Sequence, residues 1–281
     1  MSMGVQSLDD EELRFFNRRH SSVKAIDSYY ILKKYFNNIS LDIIYGVPDF
    51  TELRRPINVL NSRHTMGIER LRSTLERFIA LRPNHISAYA LTFEGKTPLQ
   101  LMADRNRISP VSDEEYKRQG ELIFNMLTEA GYERYEVSNF ALPGYSSRHN
   151  SGYWSGISYL GLGPSASSYD GIRIRRTNPA HLKGYLRHFT EPTSAPFFEE
   201  EILSDDELAE ERIFLSMRTT KGLDLQMFEI DFGYPRFACL TKGIEKWLKS
   251  GDIIVADNYL RFSSQGFWIS DYIISELISS W

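Results

Sequence analysis

The sequence predicts an α/β protein with a parallel sheet, followed by a helical, winged-helix-like C-terminal domain. Three observations carry this. Short apolar runs rich in β-branched residues alternate with helix-periodic segments up to about residue 130. A stretch dense in Gly, Ser and aromatics interrupts the order from Gly131 to Gly171. After about residue 197 come helices and then one hairpin.

The elements follow in chain order. Met3 and Val5 before polar Gln6 read as the end of a strand over residues 1–6, so the start itself reads as truncated. Asp9 caps a short helix through Arg18, with acids in its first turn. Ser21 or Ser22 caps a second helix, with Val23, Ile26 and Tyr30 on one face. Residues 39–47 (ISLDIIYGV) form a buried strand ended by Pro48. Asp42 inside that strand must be paired or must face a site, because an isolated buried carboxylate is costly. Ile68 to Leu81 is an amphipathic helix, and Leu60 to Met66 stays ambiguous. His85 to Thr92 is a third strand, with Tyr89 and Glu94 near its end. Ser112 and Glu115 form a capping box opening a helix to Ala130, with Gly131 beyond its end. In a parallel sheet of this kind the site lies at the C-terminal ends of the strands. Pro192 to Pro196 reads as a linker, dividing a domain over 1–192 from one over 197–281. Beyond it, Ser204 and Glu207 box a helix to Arg218. Helices over 224–230 and 236–249 follow, then a hairpin turning at Asp257-Asn258, then a helix over 267–278.

The bulk numbers bound the function. The 281 residues are 42% hydrophobic and 25% charged, which is an ordinary globular composition. A net charge of -4 gives no support to a nucleic-acid partner. The cations of the 236–249 helix read as a solvated face rather than a DNA-reading one. The single cysteine, Cys239, excludes an internal disulfide and any cluster or zinc site built on several thiolates of these residues. No apolar run reaches transmembrane length, and no signal-peptide core opens the chain, so the expected compartment is the cytoplasm.

The 131–171 stretch is the candidate site. Its glycines allow left-handed turns and close approach. Tyr132, Tyr135, Phe140, Tyr153, Trp154, Tyr159 and Leu160 supply the wall of a site for a flat or apolar molecule. Gly161-Leu-Gly-Pro-Ser-Ala166 superficially matches a dinucleotide fingerprint. Pro164 and the lack of a strand–helix crossover argue against that reading.

Residues 135–168 (YEVSNFALPGYSSRHNSGYWSGISYLGLGPSASS) resemble the HN-x-x-YW and G-x-GP segment of HemW-type haem chaperones. These are radical S-adenosylmethionine (SAM) proteins related to oxygen-independent coproporphyrinogen III oxidase. GVQS at residues 4–7, Asn17-Arg18, residues 40–48 and residues 85–99 match the same family in order and spacing. The resemblance implies a partial radical-SAM-type β/α barrel with a helical C-terminal domain. It implies SAM contacts by Gln6, Arg18 and Asp42, with a structural Asp42–Arg18 bridge as the alternative. It implies haem binding by His149, Tyr153 and Trp154, with His149 as a possible iron ligand. The alternative there is a histidine hydrogen-bonded into a folded loop. The family's CxxxCxxC motif, which holds a [4Fe–4S] cluster, does not occur in this sequence. The functional expectation is a haem- and SAM-binding protein, inactive as these residues alone, that hands haem to an acceptor protein. Oxidative decarboxylation of coproporphyrinogen III and a winged-helix binding module beside a dead barrel are the alternatives. A barrel of three such strands leaves an open edge and uncovered apolar surface, which predicts dimerisation or poor solubility.

Overall fold

The computed structural model describes residues 1–48, 63–95, 97–191 and 198–279. The chain divides into two compact units, residues 1–146 and 147–281.

In the first unit, β1 (Ser2–Gln6), β2 (Ser40–Tyr45) and β3 (His85–Ala90) run parallel, as the alternating pattern requires. Helices α1 (Asp10–Phe15), α2 (Ser22–Lys33) and α3 (Arg63–Leu81) lie between them in sequence. After α4 (Pro98–Asp104) and α5 (Asp113–Glu129), short strands β4 (Glu133–Arg134) and β5 (Asn139–Ala141) close the unit. β5 adds antiparallel to β3, giving a five-stranded sheet in the order β1-β2-β3-β5-β4. The strands' apolar faces (Val5, Leu41, Ile43, Ile86) pack on Leu71, Leu75 and Phe78 of α3 and on Ile123 and Leu127 of α5.

Several local readings shift. α1 stops at Phe15 rather than Arg18, because Asn17 takes a left-handed conformation (φ 55°) that no helix continues through. α2 buries Ala25 and Tyr29, whereas Val23 and Tyr30 are exposed. Its inward face is therefore rotated from the expected Val23–Ile26–Tyr30 stripe, and Tyr29 anchors it by donating to the Leu81 carbonyl (2.9 Å). Ser112 caps α5, but the Glu115 carboxylate turns to Gln119 and Arg118. Residues 60–62 of the ambiguous segment and the 192–196 linker lie outside the described residues.

The second unit opens with α6 (Arg148–Trp154) and an antiparallel sheet of β6 (Ser167–Tyr169), β7 (Ile174–Thr177) and β8 (Glu199–Ile202), with α7 (Leu182–Thr190) between the last two. Arg173 binds Asp205 (2.9 Å) and Arg175 pairs with Glu211, so this sheet is tied to α8 (Asp205–Met217). Those ties hold this sheet and α8 within the unit that spans 147–281. From α8 the order is β9 (Leu223–Asp224), α9 (Leu225–Phe232), α10 (Tyr234–Ser250), β10 (Ile253–Ala256) and β11 (Tyr259–Phe262). The strands align as β10-β11-β9, the winged-helix arrangement. Asp257 and Asn258, both at positive φ, make the tight hairpin turn that Asp-Asn suggests. A 3-10 turn over Gly266–Ile269 precedes α11 (Ser270–Ile278), so the last expected helix is two pieces.

Candidate functional site

At the end of β1 the pairing with β2 is irregular between Gly4 and Gln6, with Gly4 opposite Asp42. Gln6 sits at φ 72°, a left-handed conformation costing a residue with a side chain roughly 1–2 kcal/mol. That turn folds the Gln6 side chain back over Gly4. A Cβ placed on Gly4 would lie 2.6 Å from Gln6 Nε2 and 3.9 Å from Asp42 Oδ2. A side chain at position 4 would therefore displace the amide, and glycine lets the amide and the carboxylate share one small region. Asp42 is half-buried, accepts a hydrogen bond from Ser2 Oγ (3.5 Å) and is also bonded by Ser87 on β3. Burial raises its pKa, while both serines oppose the shift. Among the described residues no cation lies within ion-pair distance of it, so the Asp42–Arg18 bridge is not formed. Arg18 is exposed, in the turn after α1. The same turn returns to β1 through His20, whose Nε2 is 3.2 Å from the Val5 carbonyl oxygen. The structure thus brings Gln6 and Asp42 together and leaves the Arg18 side chain outside that pair.

Two buried polar groups of the first unit carry little mark in the sequence. Glu12 lies against Ser7, and the only hint is one acid too many in the first turn of α1. His85 bonds Ser40 Oγ through Nδ1 and Tyr135 OH through Nε2, each at 2.8 Å. Both strands start at these residues, so this brace lies at the end of the sheet opposite Gln6. Burial drives the His85 pKa down to about 4, which keeps the ring neutral.

The aromatic stretch divides between the two units. Tyr132 and Phe140 are buried in the core of the first unit, and Tyr132 donates to the Pro83 carbonyl (2.6 Å). Tyr135 is held by His85. The remainder belongs to the second unit. Ser147 caps α6 by accepting from the Asn150 N–H (3.2 Å). His149 and Tyr153, four residues apart on this short helix, share a face and meet edge-on with ring centroids 4.8 Å apart. Tyr153 in turn meets Tyr159 (4.8 Å), and Tyr159 meets Tyr169 (6.2 Å). His149 is exposed, and neither ring nitrogen has a hydrogen-bond partner among the described residues. Trp154 points elsewhere: its ring lies 6.0 Å from the Arg218 guanidinium, and its indole N–H is buried without a partner among the described residues.

Residues 161–166 are a structural turn. Asn178 Nδ2 donates to the Gly163 carbonyl (2.9 Å), and the Gly163 N–H donates to Tyr185 OH (3.0 Å). The turn leads into β6 and not into a helix, so it lacks the setting of a phosphate-binding loop.

Comparison with known proteins adds to this geometry. Residues 203–269 match the HemN C-terminal domain. The heme chaperone HemW of Lactococcus lactis subsp. lactis (strain IL1403) is 34% identical over 234 residues, which cover 83% of this chain and 56% of that protein. HemW of Bacillus subtilis (strain 168) is 28% identical over 267 residues, covering 95% and 66%. The chain therefore spans between about half and two thirds of the length of these relatives. Among solved structures, one neighbour is described as coproporphyrinogen III oxidase (HemN) from Escherichia coli, a radical SAM enzyme. It superposes with a TM-score of 0.72 at 19% identity, over 99% of this chain and 63% of that one. That likeness concerns the fold: a mixed α/β sheet with a parallel part, which does not close into a barrel among the described residues.

Proposed function

We propose a function from one premise: the chain belongs to the HemW-type radical SAM family. Its place is in haem metabolism, and its residues bind haem in the second unit and SAM in the first. The observation that carries the haem reading is the exposed, unengaged imidazole of His149 set edge-on against Tyr153. A neutral imidazole is a good axial iron ligand, and flat apolar neighbours cover a macrocycle. Tyr153 and Tyr159 supply that cover, whereas Trp154 is a packing group against Arg218. Titration of the protein with haem is expected to give a shifted Soret band that His149→Ala abolishes and Trp154→Phe leaves in place. An unchanged band in His149→Ala would remove the histidine from the reading.

The SAM reading is supported by the residues at the end of β1. Among the described residues the Asp42 carboxylate has serine partners and no cation, which suits it to a pair of ribose hydroxyls, and the Gln6 amide near it can donate and accept. Arg18 is available at the surface for a carboxylate. When bound, SAM would supply the adenosyl group and a sulfonium for one-electron cleavage. That chemistry also needs the family's [4Fe–4S] cluster, and one exposed cysteine cannot supply three thiolates. We therefore assign binding, and not radical chemistry, to these residues. Coproporphyrinogen oxidation has only the fold likeness in its favour.

Haem transfer to an acceptor protein and a cytoplasmic location complete the proposal. No helix among the described residues is long and apolar enough to cross a membrane. A DNA-reading role for α10 is not favoured, because Arg236 is bonded to Asp206 (2.6 Å) and Lys246 pairs with Glu276. β1 is the sheet's edge strand, with partners on one side only among the described residues. These 281 residues are accordingly expected to self-associate, and a stable monomer in size-exclusion chromatography at tens of micromolar would count against it.

A further inference from the structure

A residue with a side chain does not hold a left-handed conformation unless its surroundings over-determine it. Gln6 does so at φ 72°, and the restraint lies in the two residues that follow. Ser7 is fully buried. Its hydroxyl donates to Glu12 Oε2 (2.6 Å), accepts from the Asp9 N–H (3.0 Å) and lies 3.4 Å from Thr74 Oγ1. The Leu8 N–H donates to that same Thr74 oxygen (3.4 Å), and Arg77 donates to the Leu8 carbonyl. α1 and α3 thus build a closed polar pocket around the backbone immediately after Gln6. Glu12 belongs to it and is buried, 5% exposed.

The charges around Glu12 are spent elsewhere. Arg70, from α3, binds Asp9 (3.3 Å) and Glu11 (2.5 Å). Asp9 is itself held as the cap of α1 by the Glu11 and Glu12 N–H groups. No ion pair reaches Glu12 among the described residues, and the Ser7 hydroxyl is what its carboxyl binds there. A buried carboxyl kept for one hydroxyl is an expensive way to stabilise a fold, and an apolar residue would fill the space at less cost. Its bond to Ser7, the residue next to Gln6, supplies the reason.

We propose that Glu12 is a positioning residue for the Gln6–Asp42 site: by accepting from Ser7 it fixes the left-handed turn that sets the Gln6 amide beside the Asp42 carboxylate. Burial, with the Asp9 carboxylate adding to it, raises the Glu12 pKa to about 7, against the Ser7 hydrogen bond and Arg70. The amide's setting is therefore proton-linked near neutrality. The consequence for ligand binding rests on the SAM reading above; the positioning itself does not.

The test is to follow the Gln6 side-chain amide by NMR in the whole 281-residue chain across the range from mildly acidic to mildly basic pH, about 5.5 to 8.5, which brackets the raised Glu12 pKa. Three proteins are compared: native, Glu12→Gln and Glu12→Ala. Glutamine keeps an acceptor for Ser7 and has no charge to titrate; alanine removes the acceptor. His20 and Asp42, which adjoin the site, are present in all three. The native amide is expected to move with a midpoint of about 7, and this movement is expected to vanish in Glu12→Gln. In Glu12→Ala the amide is expected to be displaced at every pH. Identical titration in native and Glu12→Gln proteins would overturn the proposal, as would an unmoved amide in Glu12→Ala. Should the alanine variant fail to fold, the glutamine variant decides alone. Equilibrium dialysis with SAM separates the two readings. At least a tenfold weaker binding in Glu12→Ala, with Glu12→Gln near native, extends the positioning role to the ligand. An amide that follows Glu12 in a native chain with no SAM binding upholds the positioning role and removes the SAM assignment.

Discussion

Gly161→Ala is expected to be among the most damaging single substitutions in the second unit, and to cost haem affinity with His149 untouched. A Cβ at position 161 would lie 2.2 Å from the Ser167 carbonyl oxygen, 2.6 Å from its carbon and 2.8 Å from its nitrogen. These are backbone atoms, so no side chain can rotate out of the way. Relief requires residues 159–163 to part from 167–169. Several bonds oppose that: Tyr159 and Tyr169 exchange backbone hydrogen bonds, the Gly161 N–H donates to Ser168 Oγ (2.9 Å), and Asn178 and Tyr185 hold Gly163. Overpacking of a close contact costs about 1–3 kcal/mol, and a backbone clash within such a lattice belongs at the upper end, about 3 kcal/mol. Tyr159 is the ring behind Tyr153, and Tyr153 is the ring behind His149. Parting the strands therefore loosens the aromatic support of the imidazole. Urea unfolding followed by tryptophan fluorescence reads the first effect, and Soret titration the second. Gly156→Ala is the control, since that glycine lies in the same unit, has φ 66° and has open space around it, so only the left-handed strain of about 1–2 kcal/mol applies. A Gly161→Ala midpoint no lower than the control's would show that the close approach is not limiting.

How much of this is legible in the chain depends on whether the signal is local. The parallel strands are, because short β-branched runs such as 39–47 alternate with helix-periodic segments. The winged-helix order is too, because Ser204 with Glu207 and Asp257-Asn258 are strong local markers, and both behave as their chemistry requires. The rotated face of α2 is not. Val23, Ile26 and Tyr30 share a stripe in sequence, yet Tyr29 wins the inward position because its hydroxyl reaches the Leu81 carbonyl, a bond 52 residues distant. The ties between β7 and α8 are obscured for a similar reason: Arg173 and Arg175 look like solvated charges until Asp205 and Glu211 come opposite them. At the candidate site, Gln6 and Asp42 both lie close to Gly4, which has no side chain to part them, a matter of register that periodicity does not contain. His149 and Tyr153 meet because four residues make one turn of a helix, which the sequence does contain. Trp154, adjacent in sequence, falls on another face for the same reason.

Two buried titratable groups in the first unit should leave opposite marks on its stability. His85 has its pKa lowered from 6.5 to about 4 by burial, so between those values the unfolded chain binds the proton that the folded chain refuses. Its contribution is present above pH 6.5 and is lost as pH falls toward 4. Glu12 has its pKa raised from 4.5 to about 7, mainly by burial. Its contribution is present below pH 4.5 and is lost as pH rises through 7. Each shift corresponds to about 3 kcal/mol, at 1.36 kcal/mol per pH unit. From pH 6.5 to 4.5 the two trends nearly cancel, so the native protein should show a shallow dependence that conceals both. Substitution separates them. His85→Gln, which retains polar atoms for Ser40 and Tyr135, should gain stability on acidification across that window, because Glu12 then acts unopposed. Glu12→Gln should lose stability across the same window, because His85 then acts unopposed. The gap between the two variants' slopes is expected to approach about 5 kcal/mol over the two pH units, as each shift acts at its full 1.36 kcal/mol per unit. Urea midpoints of the three proteins at pH 6.5 and 4.5 measure it, and the groups common to all three drop out of the comparison. Parallel slopes in the two variants would mean that neither group is buried in the folded protein as its hydrogen bonds imply, and the polar pocket behind Gln6 would lose its central member.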